Sequence, residues 1–265
     1  MKIALTIAGS DSGGGAGIQA DLKTFQQFGV FGTSVIVALT AQNTLGVRAV
    51  ETVPDSMISA QLNALAEDLP PAALKTGMLA DAALVRLVAK AVRENGWTPL
   101  VVDPVMVSTS GARLLAAEAE EVIRDDLLPL CALVTPNTDE AAILTGRVVH
   151  DVATMERAAT TLLRFGAGAV LVKGGHLGTG EITDILATSS GLRQFRHPRI
   201  ETTSTHGTGC TLSAAITAGL ALGRPLEEAV AAGLDYVHLA IAEAPNLGAG
   251  FGPLNHTVPV TTTAR

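Results

Sequence analysis

Cysteine, aromatic and charged residues are scarce in this chain of 265 residues. Only two cysteines occur, which leaves neither a disulfide framework nor the paired spacing of a zinc site. We interpret Cys131, which lies in an apolar segment, as an ordinary buried thiol. Aromatic residues make up 3%, charged residues 16% and hydrophobic residues 48% of the chain, a composition that excludes intrinsic disorder.

Long apolar runs, a leader pattern and an excess of positive charge are also missing. No uninterrupted apolar run reaches the roughly 20 residues that a membrane-spanning helix needs. The first residues read as a strand and lack the layout of a signal peptide. The formal net charge of −7 argues against a surface that follows the phosphates of DNA or RNA. We therefore expect a cytoplasmic protein with small-molecule partners, without nucleic acid and without a membrane.

Short apolar segments alternate with longer helical patterns along almost the whole chain. This alternation predicts an α/β fold, with a mostly parallel central sheet and helices on both faces. Typical segments are strands over 3–8, 33–40 and 73–76, helices over 16–28, 82–95 and 116–128, and a hairpin around Gly191. No linker or change of composition divides the chain. We predict one domain over residues 1–255 and a loose C-terminal tail over residues 256–265.

Polar and glycine-rich segments follow the predicted strands. Ligands of an open parallel sheet bind beyond the carboxyl ends of its strands. We therefore predict one ligand site where these segments meet, at residues 9–11, 42–43, 77–78, 103–104, 137–140 and 173–175.

The residues Gly207, Thr208, Gly209 and Cys210 stand where a helix over 208–222 is predicted to begin. The first N–H groups of a helix have no intrahelical partner and carry partial positive charge. Because glycine lacks a Cβ, the backbone of Gly207 to Gly209 can approach an anion closely, and we predict a phosphate site there. The Cys210 thiol lies at the same positive end, where its pKa should fall. A phosphate site with a proton acceptor in the first helical turn indicates phosphoryl transfer to an alcohol.

A second glycine-rich segment, 9–17, does not fit a dinucleotide-binding fingerprint. Ile18 stands where the third glycine belongs, and no acidic residue ends a second strand at the usual distance. The GxxxxGK[ST] pattern of a P-loop is absent as well. Three interpretations stay open: a backbone approach to a small flat substrate, binding of nucleotide phosphates, and a plain tight turn.

Three charged residues follow strand ends. Asp103 precedes a proline, Glu140 lies one turn into a helix that begins near Asn137, and Lys173 precedes two glycines. The two carboxylates suit Mg²⁺ bound through water, and the lysine suits neutralisation of a phosphate. A Glu140 that only complements the dipole of its own helix, and a solvated Lys173, stay open as alternatives.

Gln42 follows a buried strand over 34–39 and offers paired amide donor and acceptor groups to a heteroaromatic ring. A turn-stabilising role is an equal alternative. The six histidines show no ligand spacing, and we interpret them as surface or core residues. His206 is the one next to the glycines at 207–209. The small polar residues from Met106 to Leu115 predict a mobile flap that closes over bound substrates.

Motifs along nearly the whole chain resemble those of the hydroxymethylpyrimidine/phosphomethylpyrimidine kinase family of thiamine biosynthesis, within the ribokinase-like superfamily. The motifs are AGSDSGGGAGIQAD at 8–21, ALTAQNT at 38–44, KTGML at 75–79, DPVM at 103–106, TPN at 135–137 with Glu140, KGGH at 173–176 and HGTGCT at 206–211. They occur in the order expected for the family. Cys210 stands where most members of the superfamily carry Asp.

The resemblance implies a three-layer ribokinase-like fold and a homodimer. It implies transfer of the ATP γ-phosphoryl group to a pyrimidine alcohol and then to its monophosphate, with ATP and Mg²⁺ as cofactors. The resemblance places Gln42 on the aminopyrimidine, with Gly9, Ala16, Asp21, Met78 and Val105 along the ring. It places Lys173, Thr208 and Asn137 on ATP, and Asp103 and Glu140 on Mg²⁺. It also implies an anion hole formed by Gly207, Thr208 and Gly209 together with Lys173, and Cys210 as the acceptor of the hydroxyl proton.

Three other functions stay open. A pyridoxal or pyridoxine kinase uses the same scaffold, and some pyridoxal kinases of similar sequence share the cysteine at this position. A thiol redox enzyme would use Cys210 covalently, but the chain has no resolving cysteine near it in sequence. A non-catalytic nucleotide sensor would lack Asp103, Glu140 or Cys210, and all three are present.

Overall fold

The computed structural model describes residues 1–106, 117–175, 177–178 and 180–260. Its strands are β1 (Ile3–Asp11), β2 (Phe31–Asn43), β3 (Gly46–Thr52), β4 (Ala73–Thr76), β5 (Leu100–Val102), β6 (Leu133–Val134), β7 (Val170–Val172), β8 (Glu181–Thr188) and β9 (Gly191–Pro198). Its helices are α1 (Gly17–Gln27), α2 (Asp55–Asp68), α3 (Ala82–Asn95), α4 (Ala117–Val122), α5 (Thr138–Thr145), α6 (Val152–Arg164), α7 (Thr208–Ala221) and α8 (Leu226–Ala242). Except for Met106, which is buried, the predicted flap lies outside the described residues.

The nine strands of the described residues form one sheet in the order β3-β2-β1-β4-β5-β6-β7-β8-β9. Its centre is parallel, from β2 through β7. Its edges are antiparallel, because β3 pairs back on β2 and the β8–β9 hairpin pairs back on β7. The predicted α/β fold with a mostly parallel sheet is confirmed. The chain runs outward from β1 to β3 and then returns to place β4 on the other side of β1, and such a switch point is where open α/β sheets bind ligands.

Several helix ends follow the predicted signals. β4 and α3 occupy the predicted residues. The Asp81 carboxylate caps α3 by accepting the N–H of Leu84 at 2.9 Å, and Gly96 ends the helix at a left-handed φ of 62°. Asn137 begins α5 in a capping box with Glu140.

The predicted helix over 116–128 is only partly regular. After α4, a π-helical turn spans Ile123–Leu127 and a 3-10 turn spans Leu128–Leu130. Pro129 lacks the N–H that an α-helix would need at that position, which explains why the regular helix does not continue.

Two apolar layers enclose the sheet. Successive residues of a strand face opposite sides, so Leu74 joins a cluster with α2, α3 and α6, and its neighbour Ala73 joins a cluster with α1, α7 and α8. Cys131 is buried in the first cluster, as predicted, and burial raises the pKa of its thiol to about 12. Among the described residues, none of the helices combines the length and the apolar character needed to cross a bilayer.

The C-terminal tail predicted to be loose from residue 256 is held against the helices over its first residues. His256 and Val258 are buried. The Tyr236 hydroxyl donates to the His256 carbonyl at 2.8 Å, and the Gln27 amide donates to the Val258 carbonyl at 2.8 Å. Contrary to the predicted loose tail, these residues are packed, because the side chains of His256 and Val258 are buried and their own carbonyl groups accept hydrogen bonds. Residues 261–265 lie outside the described residues.

Candidate active site

A cavity of about 660 Å³ opens at the carboxyl ends of the parallel strands. It is lined by nearly all residues that the sequence placed at the site: Gly9, Ala16, Gln42, Met78, Asp103, Val105, Asn137, Glu140, Lys173, Gly207, Thr208, Gly209 and Cys210. The sheet order puts β1, β2 and β4 toward one end of this cavity and β6 to β9 toward the other. The helix start at 207–210 lies between them, because Gly209 approaches Asp103 after the central strand β5.

The first turn of α7 has the geometry of an anion site. Gly207 precedes it at a left-handed φ of 84°, and a Cβ there would collide with the carbonyl oxygen of Gly15. The two glycine-rich segments of the chain therefore touch, and only glycine fits this contact. A Cβ on Gly209 would lie 3.2 Å from Lys173 Nζ, so the first turn, whose N–H groups have no partner within the helix, adjoins an ammonium group. The Thr208 hydroxyl donates to the Thr205 carbonyl at 2.8 Å.

Cys210 lies in the same turn, half-buried beside the cavity. Burial raises the pKa of its thiol to about 11, with further upward contributions from Asp21 and Asp103, while Lys75 and the Gly17 N–H act in the opposite direction. The predicted lowering of this pKa is wrong. The helix start favours the thiolate, but removing the sulfur from water disfavours it more strongly.

Asp21 does not line the cavity, in contrast to the expectation from the resemblance. Its side chain is fully buried, accepts a hydrogen bond from Thr6 Oγ1 at 2.6 Å and pairs with Lys75 Nζ at 2.7 Å. The Lys75 ammonium also donates to the Cys210 carbonyl at 3.4 Å. Burial lowers the pKa of Lys75, but the nearby anions outweigh it and raise the pKa above its usual value. An ammonium group paired with the Asp21 carboxylate therefore lies beneath the helix start.

Lys173 stands between the two predicted metal-binding carboxylates. Its Nζ lies 3.1 Å from Asp103 Oδ1 and 3.9 Å from Glu140 Oε2. Burial raises the pKa of Asp103, but Lys173 and Lys75 outweigh it and hold the pKa below its ordinary value. Burial also raises the pKa of Glu140, to about 7. Glu140 is at once a cavity residue and the capping partner of Asn137, so both of its predicted roles fit the geometry.

The carboxylates of Asp103 and Glu140 have the oxygen donors that Mg²⁺ prefers, but they are too few to enclose the ion. They are oxygen donors at the cavity wall, as this ion prefers. Among the residues described, no group of three or more His, Cys, Asp or Glu side chains is arranged to hold a metal ion. The donor set therefore suits an ion that keeps most of its water, rather than one enclosed by protein ligands.

Gln42 and His206 meet at the other end of the cavity. Gln42 Nε2 lies 3.2 Å from His206 Nε2, which lies 2.9 Å from Asp11 Oδ2. The Asp11 carboxylate also accepts the N–H groups of Gly13, Gly15 and Ala16, which fixes the first glycine-rich segment. Beside them, Gly9 touches Met78, since a Cβ on Gly9 would lie 2.9 Å from Met78 Cε.

Sequence reasoning assigned no role to Lys75, Asp11 or His206. Two of them carried a usable signal. Lys75 is the one charged residue of the short strand β4, all of whose residues are buried, and such a residue needs a buried partner. Asp11 precedes a glycine run, where a short carboxylate is suited to bind successive N–H groups. Only His206 had no local signal, because its partners are about 160 to 200 residues away in the chain.

Comparisons with known proteins point to one family. The family described as phosphomethylpyrimidine kinase matches residues 11–255. A hydroxymethylpyrimidine/phosphomethylpyrimidine kinase of Rhizobium meliloti (strain 1021) is 54% identical over 257 residues, which cover 96% of both chains. The protein of the same description from Bacillus subtilis (strain 168) is 46% identical over 254 residues, which cover 96% of this chain and 94% of that protein.

Solved structures of two vitamin-related kinases align with nearly the whole chain. A phosphomethylpyrimidine kinase from Clostridium difficile 630 aligns with a TM-score of 0.82 and 45% identity, covering 91% of this chain and all of that one. A Bacillus subtilis pyridoxal kinase in complex with ADP aligns with a TM-score of 0.91 and 37% identity, covering 97% and 98% of the two chains. The expected ribokinase-like fold is confirmed.

Proposed function

Because the chain belongs to the phosphomethylpyrimidine kinase family, we propose that it phosphorylates hydroxymethylpyrimidine to the monophosphate and then to the diphosphate, for thiamine biosynthesis, with ATP as donor. One observation carries the proposal at the level of the site. The N-terminal turn of α7 presents glycine N–H groups to a cavity that Lys173 and Cys210 also line. Residues 1–255 act as one kinase domain, since a single sheet runs through them.

The two substrates occupy opposite ends of the cavity. The pyrimidine lies at the β1–β2–β4 end, against Gly9, Ala16, Met78 and Val105, with its polar edge on Gln42. The nucleotide lies at the β6–β9 end, where apolar side chains suit a purine: Ile143, Ile182, Ile200 and Ile241. Its phosphates extend toward Asn137, Thr208 and Lys173 and meet the alcohol at the start of α7.

The first transfer exchanges one phosphorus–oxygen bond for another. The alcohol oxygen attacks the γ-phosphorus, the bond to the bridging oxygen breaks and ADP leaves. Negative charge on the transferred group is stabilised by the N–H groups of the α7 turn and by the Lys173 ammonium. The Cys210 sulfur accepts the hydroxyl proton as its minor thiolate form, since burial keeps most of the thiol protonated at neutral pH.

Mg²⁺ would be held by Asp103 and Glu140 through water, where it would neutralise charge on the phosphates. The carboxylate donors and the adjoining Lys173 support this placement.

The second transfer makes a different demand on Cys210. Its acceptor is a phosphate oxygen, and a phosphate monoester has already lost most of its second proton at neutral pH because that pKa is about 6. No hydroxyl proton has to be removed. Cys210 is therefore needed for the first transfer and not, as a base, for the second.

The test replaces Cys210 by Ala and measures ADP release with each acceptor. With hydroxymethylpyrimidine, kcat falls by roughly 10²–10⁴ and ATP affinity changes little. With the monophosphate, the loss stays below about tenfold, since no proton acceptor is required there. Cys131→Ala, which removes the buried thiol, is the control. Wild-type turnover of the alcohol by Cys210→Ala removes the assignment, and an equal large loss with both acceptors assigns the sulfur a structural role.

A pyridoxal kinase is the second candidate, because the Bacillus subtilis pyridoxal kinase aligns over nearly the whole chain. The same ADP-release assay with pyridoxal, pyridoxine and hydroxymethylpyrimidine separates the two. A higher kcat/KM with either form of vitamin B6 than with the pyrimidine contradicts the proposal.

We also propose a cytoplasmic homodimer. The support for the dimer is a set of exposed apolar side chains on the edge strand β3, on its neighbour β2 and in the turn between them, namely Val50, Leu39 and Leu45. A mass of one chain in light scattering contradicts the dimer.

A further inference from the structure

Four polar side chains form a continuous chain along the cavity wall next to the proposed pyrimidine site. In order they are Asp11, His206, Gln42 and Thr40, and all four line the cavity. His206 Nε2 lies 2.9 Å from Asp11 Oδ2 and 3.2 Å from the Gln42 amide. At the far end, Thr40 Oγ1 lies 3.2 Å from the other amide atom of Gln42 and 3.0 Å from the Ser10 carbonyl oxygen.

The hydrogen on His206 follows from the Asp11 carboxylate. That carboxylate accepts three backbone N–H groups, and these together with His206 outweigh burial and hold the pKa of Asp11 below its usual value. Asp11 is therefore an ion that can only accept hydrogen bonds. A His206 Nε2 at 2.9 Å from this oxygen must carry a hydrogen, because a bare nitrogen lone pair would face a negative charge.

The orientation of the Gln42 amide follows in turn. With Nε2 toward His206, two N–H donors oppose each other at 3.2 Å. Turned by 180°, the amide oxygen shares the single His206 Nε2 hydrogen with Asp11 in a three-centre hydrogen bond, and the NH₂ group faces Thr40. The Thr40 hydroxyl gives its single hydrogen to the Ser10 carbonyl and is free to accept from that NH₂ group. This orientation removes the opposition of two donors and gives the Thr40 hydroxyl an N–H to accept, and amide orientations are assigned from such hydrogen-bond networks.

His206 is well held in this position. Its backbone N–H donates to the Gly252 carbonyl at 3.0 Å, and its side chain is only 12% exposed. A Cβ on Gly15 would lie 2.7 Å from His206 Cδ2, so the ring packs directly on the first glycine-rich segment. These contacts therefore connect the first glycine-rich segment with the segment that precedes α7, and both segments line the cavity.

We propose that Asp11, His206 and Thr40 are positioning residues that lock the Gln42 amide and thereby determine which ring the site accepts. One Gln42 N–H and one lone pair of its oxygen remain for a ligand, side by side and in fixed order. They match a ring nitrogen beside an exocyclic amino group. A ring with an N–H beside an exocyclic oxygen offers the same groups in the reverse order and needs the amide turned over. This inference rests on the proposed function.

The experiment compares kcat/KM for the 4-amino and 4-oxo forms of hydroxymethylpyrimidine. His206→Phe keeps a ring on Gly15 but removes the N–H donor. His206→Gln restores an N–H at about the same distance from the backbone. Thr40→Val removes the hydroxyl that accepts from the Gln42 amide at the other end of the hydrogen-bonded series. His150→Phe, at an exposed histidine, is the matched control.

We expect the wild-type preference for the amino form to fall about tenfold or more in His206→Phe and in Thr40→Val, partly through better use of the oxo form. His206→Gln and His150→Phe keep the preference. A preference within twofold of wild type in His206→Phe overturns the inference, as does an equal loss with both rings in His206→Phe and His206→Gln. Wild-type protein that phosphorylates neither ring refutes the proposed function instead.

Discussion

At the scale of single residues, the surroundings of Asp21 disagree with the role that its sequence motif implied. The family resemblance placed it on the substrate ring, whereas its carboxylate is fully buried against Lys75. A buried charge that loses its partner is strongly destabilising, because the remaining charge has neither water nor a counter-ion. The structure therefore assigns Asp21 to the support beneath α7, one layer away from the cavity.

We predict that Asp21→Leu lowers the free energy of unfolding by about 3–5 kcal/mol, because Lys75 is left buried and unpaired. Urea unfolding followed by circular dichroism measures it. The double variant Asp21→Leu/Lys75→Met removes both charges and should recover much of the loss. Wild-type stability of Asp21→Leu, combined with a raised KM for the pyrimidine, would return this residue to the substrate site.

Cys210 illustrates why the chemistry of a site residue is harder to predict than its position. Its place at a helix start follows from the neighbouring glycines in sequence, and the structure confirms it. The direction of its pKa shift depends on burial by α1, β4 and α7, which no local pattern contains. For the same reason, the interaction of His206 with Gln42 and Asp11 was not predictable from the sequence.

At the scale of elements, the start of α7 contains two glycines with different physical roles. Gly207 has a positive φ and touches the Gly15 carbonyl, so any side chain there strains the backbone. Gly209 has an ordinary helical position, and its missing Cβ leaves room for Lys173 Nζ and Asp103 Oδ2. Gly207 is needed for the conformation of the turn, and Gly209 is needed to leave room for the Lys173 and Asp103 side chains.

We predict that Gly207→Ala loses at least about 1–2 kcal/mol of stability, because a Cβ disfavours the left-handed conformation even before the collision is counted. Gly209→Ala keeps wild-type stability but lowers kcat by roughly 10²-fold, since Lys173 is displaced from the transferred group. Thermal unfolding and ADP release measured on both variants test the pair. A Gly209→Ala variant with full activity would contradict the anion site.

The C-terminal segment is tied to α7 by a neutral histidine. His256 Nε2 lies 3.0 Å from Thr211 Oγ1, and burial lowers the pKa of His256 to about 4. The unfolded chain takes up this proton near pH 6.5, before the folded protein does, so the contribution of His256 is complete above pH 6.5 and is lost as the pH falls toward 4.

We predict that wild-type protein loses about 3 kcal/mol more stability between pH 6.5 and 4 than His256→Gln, in which the titrating group is absent. Urea unfolding at several pH values gives the difference directly. Parallel pH profiles of the two proteins would mean that His256 does not stay neutral in the fold.

At the scale of the whole molecule, alternating apolar strands and amphipathic helices were enough to predict a mostly parallel sheet with a site at its carboxyl edge. β4 and α3 occupy the residues predicted for them, and local residues mark both ends of the helix, since Asp81 caps its start and Gly96 ends it. The end of α4 was not predicted, although Pro129 lies close to it in sequence, and the anchored tail was not predicted because the burial of His256 and Val258 depends on packing with distant segments.

The central claim is that the first turn of α7 binds the γ-phosphate of ATP and places the hydroxyl group of the pyrimidine between that phosphate and Cys210. It is tested most directly by a crystal structure of the protein with Mg²⁺, a non-hydrolysable ATP analogue and hydroxymethylpyrimidine. We predict the γ-phosphate within hydrogen-bond distance of the N–H groups at residues 209 and 210, and the substrate hydroxyl between that phosphate and the Cys210 sulfur. A γ-phosphate bound away from α7, or a hydroxyl directed away from Cys210, would contradict it.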